Sequence, residues 1–249
     1  MIKCLIFDLN DTLDNTNSAI IKAFKIVLKK HLPTLNQNDF QSYAQELMVF
    51  FWQSDRLADL SYPNWTMDDI IKHAVEKWYE FKKTTKNIKI NVERFSRDYG
   101  SIRNDFLTIK PMMVKLIKAL PSPLFKFIFS QGNSKSDIIN LLHKSSLSEN
   151  NFTEIISTKL FKEENKPSIN ILNYILRKYS LKPKECVMIG DDICADLMPA
   201  KILGIKTILS SPYVDTMSTT DLQLSTLIKK CLKKIIKNKN APETNPAIL

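Results

Sequence analysis

The chain has 249 residues, 44% of them hydrophobic and 25% charged, and carries a formal net charge of +10. That composition suits one large core, or a core with an inserted subdomain. No run of about 18 or more apolar residues marks a membrane span. An apolar run begins at once, at Ile2, leaving no room for a signal peptide. Four cysteines (Cys4, Cys186, Cys194, Cys231) without a CxxC pair fit reduced thiols in a cytoplasmic protein. The positive balance admits nucleic acid or anionic lipid as a partner. With no RNP-type motif, zinc finger or Arg-rich stripe, no nucleic acid is expected.

In chain order, Ile2 to Asp8 reads as a buried strand ending on a carboxylate. Ile20, Ile21, Phe24, Val27 and Leu28 then recur at helical spacing, which predicts a helix over 16–31 that ends before Pro33. Further helices are expected over 37–55, from Asp68-Asp69 through Trp78, and over about 91–106. No strand pattern appears between 14 and 108. From Pro111 the chain alternates helix and strand: strands at 125–129, 154–157, 186–189 and 205–209, and helices through Leu120, over 134–144, from Pro167 to Tyr179, and on to Leu203 with Gly204 as its cap. Strands spaced by helices imply an α/β fold, a doubly wound parallel sheet with a Rossmann-like core. Residues 1–13 and 109–240 are assigned to that core, 14–108 to an inserted all-helical cap, and 241–249 to a loose tail.

A parallel sheet brings the C-terminal ends of its strands to one edge. Asp8, Ser130 and Asp191-Asp192 therefore converge, and Lys166, before Pro167, can reach the same edge. Lys159 and Lys162 are nearby alternatives to Lys166. Carboxylates, a hydroxyl and an ammonium on one rim outline a site for Mg²⁺ and a phosphoryl group. Mg²⁺ takes hard oxygen ligands, which Asp8, Asp191 and the backbone carbonyl of Asn10 can supply. A carboxylate can attack phosphorus to give an aspartyl-phosphate. The developing phosphoryl charge needs fixed donors, for which Ser130, Gln131 and Lys166 are the candidates.

These segments resemble the motifs of the haloacid dehalogenase superfamily, in its branch of phosphatases with a helical cap inserted after the first motif. Phe7-Asp8-Leu9-Asn10-Asp11-Thr12-Leu13 is similar to the first motif, Phe129-Ser130 to the second, Lys166-Pro167 to the third, and Gly190-Asp191-Asp192 with Ala195-Asp196 to the fourth. The resemblance implies Asp8 as nucleophile, Ser130 holding the phosphoryl group, Asp191 as metal ligand and Asp196 as a carboxylate that orients its neighbours. It also implies Mg²⁺ as cofactor and a small phosphorylated metabolite as partner. Asp192 is left with two roles, touching metal-bound water or favouring the start of the next helix.

Asn10 departs from the pattern, because phosphatases of this family carry there the Asp that protonates the leaving oxygen and then activates water. An amide keeps the shape and loses the proton transfer, a contribution of about 10²–10⁴-fold. Three explanations stand open: an engineered substitution in an ordinary phosphatase, a natural slow enzyme or phosphate-ligand-binding module, or different chemistry. In the cap, Trp52 and Trp65 are the aromatics best placed to touch substrate. Between 220 and 249, six lysines against Asp221 and Glu243 give a net +4. The apolar stripe of 222–236 either packs on the sheet or lies on a membrane.

Overall fold

The computed structural model describes residues 1–62, 65, 67–85, 88–158 and 166–210. The expected helix over 222–236, the tail over 241–249, Lys159 and Lys162 lie outside them. The chain divides into two compact units, one formed by Met1–Asn15 with the chain from Thr108 onward, the other by Thr16–Leu107.

The first unit is built on five parallel strands: β1 (Cys4–Phe7), β2 (Phe125–Ser130), β3 (Glu154–Ser157), β4 (Cys186–Gly190) and β5 (Lys206–Leu209), in the order β3-β2-β1-β4-β5. Every residue of β1 and β4 is buried. Strands covered on both faces read as continuous apolar runs, which is why these strands are visible in the sequence. Phe7 is in register with Ile128 and with Ile189, so Asp8, Ser130 and Asp191 all leave the sheet within two residues of one level. The order reverses around β1, and the crevice at such a switch point is where open α/β sheets bind ligands. Helices α5 (Pro111–Ala119), α6 (Lys135–Lys144), α7 (Ile169–Lys178) and α8 (Met198–Ile202) complete this unit, α8 following a π-helical turn at Ile193–Leu197. Pro167 stands outside α7, because the Ser168 side chain caps it by accepting from the Ile171 amide at 3.1 Å.

Asp14 and Ile109 form an isolated antiparallel bridge, and the Thr108 amide donates to Asn15 Oδ1 at 2.8 Å. These bonds tie Asp14 and Asn15 to the sheet unit.

The second unit consists of helices α1 (Thr16–His31), α2 (Gln37–Ser61), α3 (Met67–Thr85) and α4 (Val92–Phe106). Its core is aromatic: Phe24 stacks on Tyr99 with ring centroids 4.2 Å apart, and Trp78, Phe51 and Phe95 are buried around them. Both α2 and α3 outrun their apolar periodicity, ending at Ser61 and Thr85 rather than near 55 and 78. Polar groups contribute to the extension of α3, where Lys82 Nζ donates to Glu46 Oε1 at 2.7 Å. No helix among the described residues is long and apolar enough to cross a membrane.

Candidate active site

Asp8 follows the last residue of the central strand, and its amide continues the ladder by donating to the Ile189 carbonyl at 2.8 Å. The chain then turns sharply. Asp11 adopts φ 53°, a left-handed conformation that Asp tolerates better than most residues, and its amide donates to Asp14 Oδ1 at 2.8 Å. The turn leaves the Asp8 side chain only 6% exposed. Asp8 Oδ1 accepts from the Lys166 ammonium, while Asp8 Oδ2 is buried with no hydrogen-bond partner.

Lys166 is the hub of the cluster. Its Nζ is bound between Asp8 Oδ1 and Asp196 Oδ1, the latter at 2.7 Å, and lies 4.8 Å from the centre of the Phe129 ring. Gln131 holds the backbone beneath it, Oε1 accepting from the Lys166 amide at 2.9 Å. That bond helps to position Lys166.

Asp196 reaches Lys166 because Gly190 has no side chain: a Cβ there would stand 2.3 Å from Asp196 Oδ2. Asp191 Oδ1 accepts from Thr12 Oγ1 at 3.3 Å, joining the fourth segment to the first. Asp192 Oδ1 accepts from the Cys194 and Ala195 amides at 2.7 and 2.8 Å, so of its two possible roles the structure displays the helix cap.

The Asp8, Asp191 and Asp196 carboxylates offer oxygens within 4.8 Å of one another. Burial pushes each of them up to about 6, from an ordinary value near 4. Lys166 works against that rise in all three, while neighbouring carboxylates add to it: Asp191 on Asp8, Asp196 on Asp191, Asp8 on Asp196. Burial also opposes the Lys166 charge, but Asp8 and Asp196 outweigh it and hold the ammonium above its usual range. Three acids around one ammonium leave an excess of negative charge and an orphaned oxygen on Asp8. A hard divalent cation would relieve both, so this donor set fits Mg²⁺. Asp196 joins the acidic group beside the expected Asp8 and Asp191; the side chain of Asn10 is engaged elsewhere.

That engagement is with Asn133, a residue the motif reading passed over. Asn133 Nδ2 donates to Asn10 Oδ1 at 3.2 Å and to Ser130 Oγ at 3.1 Å. Gly132 makes this possible with φ 79°, reversing the chain so that Asn133 returns over Ser130. From β3, Ser157 Oγ donates to the Asn133 carbonyl at 2.5 Å. The available signal was the run Ser130-Gln131-Gly132-Asn133, where a glycine precedes a side chain with two donors. Asn10, Ser130, Asp8, Lys166, Asp191 and Asp196 thus stand at one sheet edge. Trp52 and Trp65 belong to the helical unit and pack partly buried against its core, Trp65 stacked on Tyr62 at 4.6 Å.

The family model for haloacid dehalogenase-like hydrolases matches residues 5–210. The chain belongs to that family. Two similar proteins are glyceraldehyde 3-phosphate phosphatases. That of Pyrococcus furiosus is 24% identical over 83% of this chain and 80% of its own. That of Methanocaldococcus jannaschii is 26% identical over 86% and 88%. Among solved structures, magnesium-bound YfnB of Bacillus subtilis superposes with a TM-score of 0.67 at 15% identity, covering 91% of this chain and 98% of that one. The L-2-haloacid dehalogenase of Xanthobacter autotrophicus superposes at 0.61 with 16% identity, covering 92% and 83%. At such identities the structural likeness is one of fold.

Proposed function

We propose that this hydrolase is a phosphatase that cleaves a small phosphomonoester through an aspartyl-phosphate on Asp8, and that Asn10 slows its turnover. The observation that carries the reading is the Asp8 carboxylate itself: buried at the central strand end, anchored through Oδ1 by Lys166, with Oδ2 unpartnered. Mg²⁺ held by Asp8, Asp191 and the carbonyl of Asn10 would supply positive charge against the phosphoryl oxygens. Lys166 and Ser130 Oγ present further donors to the same oxygens, and Asn133 fixes the Ser130 hydroxyl. An Asp8 oxygen attacks phosphorus and the ester oxygen leaves; water then attacks the aspartyl-phosphate and returns Asp8. At both steps a proton must move at position 10. The Asn10 oxygen is tethered by Asn133, and its amide nitrogen can donate a hydrogen bond but cannot deliver or remove a proton.

The two phosphatase relatives make glyceraldehyde 3-phosphate the first substrate to test, within the wider class of small phosphorylated metabolites. The helical unit is the candidate for substrate choice, through Trp52 and Trp65 among others. Free buried thiols at Cys4 and Cys186 support a cytoplasmic setting.

The test is a phosphate-release assay with Mg²⁺ over a panel of phosphorylated metabolites, run on this chain and on Asn10→Asp. The variant is expected to turn over about 10²–10⁴-fold faster on at least one of them. No gain on any would overturn the assignment of Asn10 as the limiting group. The second reading, a protein that keeps the fold to bind a phosphorylated ligand, rests on that same amide. It predicts ligand binding by both forms and turnover by neither.

A further inference from the structure

The bond between Asn133 and Asn10 fixes which way the Asn10 amide faces. Asn133 Nδ2 lies 3.2 Å from Asn10 Oδ1, 3.1 Å from Ser130 Oγ and 3.4 Å from the Gln131 carbonyl oxygen. A carbonyl oxygen only accepts, so the Asn133 atom turned toward Gln131 is the amide nitrogen. The Asn10 atom facing that nitrogen is therefore its oxygen, and the Asn10 NH₂ group is turned away from Asn133. Among the described residues the Asn10 side chain makes no other hydrogen bond. Asn10 is half-buried, so its NH₂ group remains open to a ligand at Asp8. Position 10 thus offers N–H donors of set direction and no proton to transfer.

The other donors of the site are engaged. Lys166 Nζ is bound between Asp8 and Asp196, and Thr12 Oγ1 donates to Asp191 at 3.3 Å. His143, the one histidine of the sheet unit, is paired with Glu149 at 3.1 Å near the end of α6. An N–H donor stabilises charge growing on a departing oxygen but leaves that oxygen unprotonated. An alkoxide departs poorly in that state, whereas a carboxylate, with a conjugate acid near about 4, departs as a stable anion.

We propose that the substrates suited to this chain are acyl phosphates, in which the phosphoryl group sits on a carboxylate oxygen. The proposal rests on Asp8 as nucleophile and adds a demand on the leaving group. An Asp8 oxygen attacks phosphorus, the bond from phosphorus to the acyl oxygen breaks, and the carboxylate leaves with the electron pair; no proton moves. Water then attacks phosphorus, the bond to Asp8 breaks, and phosphate leaves as H₂PO₄⁻ with both water hydrogens. The leaving group is a carboxylate in both steps, and only the second lacks a base for its water. The aspartyl-phosphate therefore forms faster than it decays, and it accumulates.

The test compares this chain with Asn10→Asp on acetyl phosphate and on aryl phosphates of graded leaving-group acidity. Mg²⁺ is present, and the rates of Asp8→Asn are subtracted. The advantage of Asn10→Asp is expected to be under about tenfold on acetyl phosphate and to grow toward about 10²–10⁴-fold on the most basic leaving group. Mass spectrometry after acetyl phosphate treatment is expected to find one phosphoryl group on this chain and none on Asp8→Asn. An equal advantage across the series, or no phosphoryl group on this chain, overturns the proposal. If Asn10→Asp is then still active and depends on Asp8, only the substrate class falls. If Asp8→Asn matches its parent in both backgrounds, the reading of Asp8 as nucleophile falls with it.

Discussion

The two units differ in where their buried polar groups gather. In the sheet unit, Lys166 is enclosed by two carboxylates, Asn133 bridges two site side chains, and Asp192 closes a helix turn. In the helical unit the interior is a stack of rings, with its polar bonds, such as those of Trp78 and Lys82 to Glu46, scattered singly around it and Tyr99 Oη and Arg103 Nε without hydrogen-bond partners. A network of mutually satisfied polar groups at strand ends specifies chemistry and leaves a spaced motif. A packed aromatic core specifies only a fold, which many sequences satisfy.

The sharpest way to break the contrast is to remove the carboxylate at the end of the central strand. If Asp8 is the nucleophile as proposed, Asp8→Asn in the Asn10→Asp background is expected to lower phosphate release about 10⁴-fold or more. The circular dichroism spectrum should remain that of the parent. Residual turnover within tenfold of the background would exclude Asp8 as nucleophile.

Packing in the other unit is tested by Phe24→Ala. Phe24 is fully buried, stacked on Tyr99 and edge-on to Phe51 at 6.4 Å. The cavity is expected to cost about 3–5 kcal/mol. Hydrogen exchange should show the loss in α1, α2 and α4, with β1 and β4 protected as before. An equal loss in both units would show that they open together.

Gly190→Ala reaches the polar network through sterics. Its Cβ would collide with an Asp196 side chain that cannot swing away without releasing Lys166. A loss of about 1–3 kcal/mol is expected in denaturant unfolding. Activity in the Asn10→Asp background should fall as well, because Lys166 loses an anchor. A neutral substitution would mean that Asp196 can relax without consequence.

The contrast also explains what could be read from the sequence. The five strands were legible because apolar runs such as Cys186–Ile189 have no polar face. The convergence of Asp8, Ser130 and Asp191 was legible because parallel strands bring their C-terminal ends to one sheet edge. Asn133 escaped because its role depends on the positive φ of Gly132, which redirects a side chain three residues past the strand. Asp192 stayed ambiguous because a carboxylate suits both a metal shell and a helix start. The ends of α2 and α3 were missed because charged residues such as Asp55, Arg56, Lys82 and Lys83 dilute the apolar face there, although Ala58 continues the buried face of α2 beyond Phe51.

The smallest expected effect links the acidic cluster to pH. Asp8, Asp191 and Asp196 titrate near 6 in the folded chain and near 4 when unfolded. Between those values the folded state holds protons that the unfolded state has released. Stability from these groups is therefore greatest below about pH 4 and declines as pH rises through about 6. A cation on the same oxygens stabilises only the deprotonated cluster, so its benefit runs the other way. The Tm in Mg²⁺ minus the Tm in EDTA should be near zero at pH 5 and grow to a few degrees by pH 7.5, as binding of about 1–2 kcal/mol becomes available. Asp191→Asn should flatten that rise, whereas Arg103→Met, which alters only the helical unit, should leave it unchanged. A Mg²⁺ effect of equal size at both pH values would place the cation away from these carboxylates.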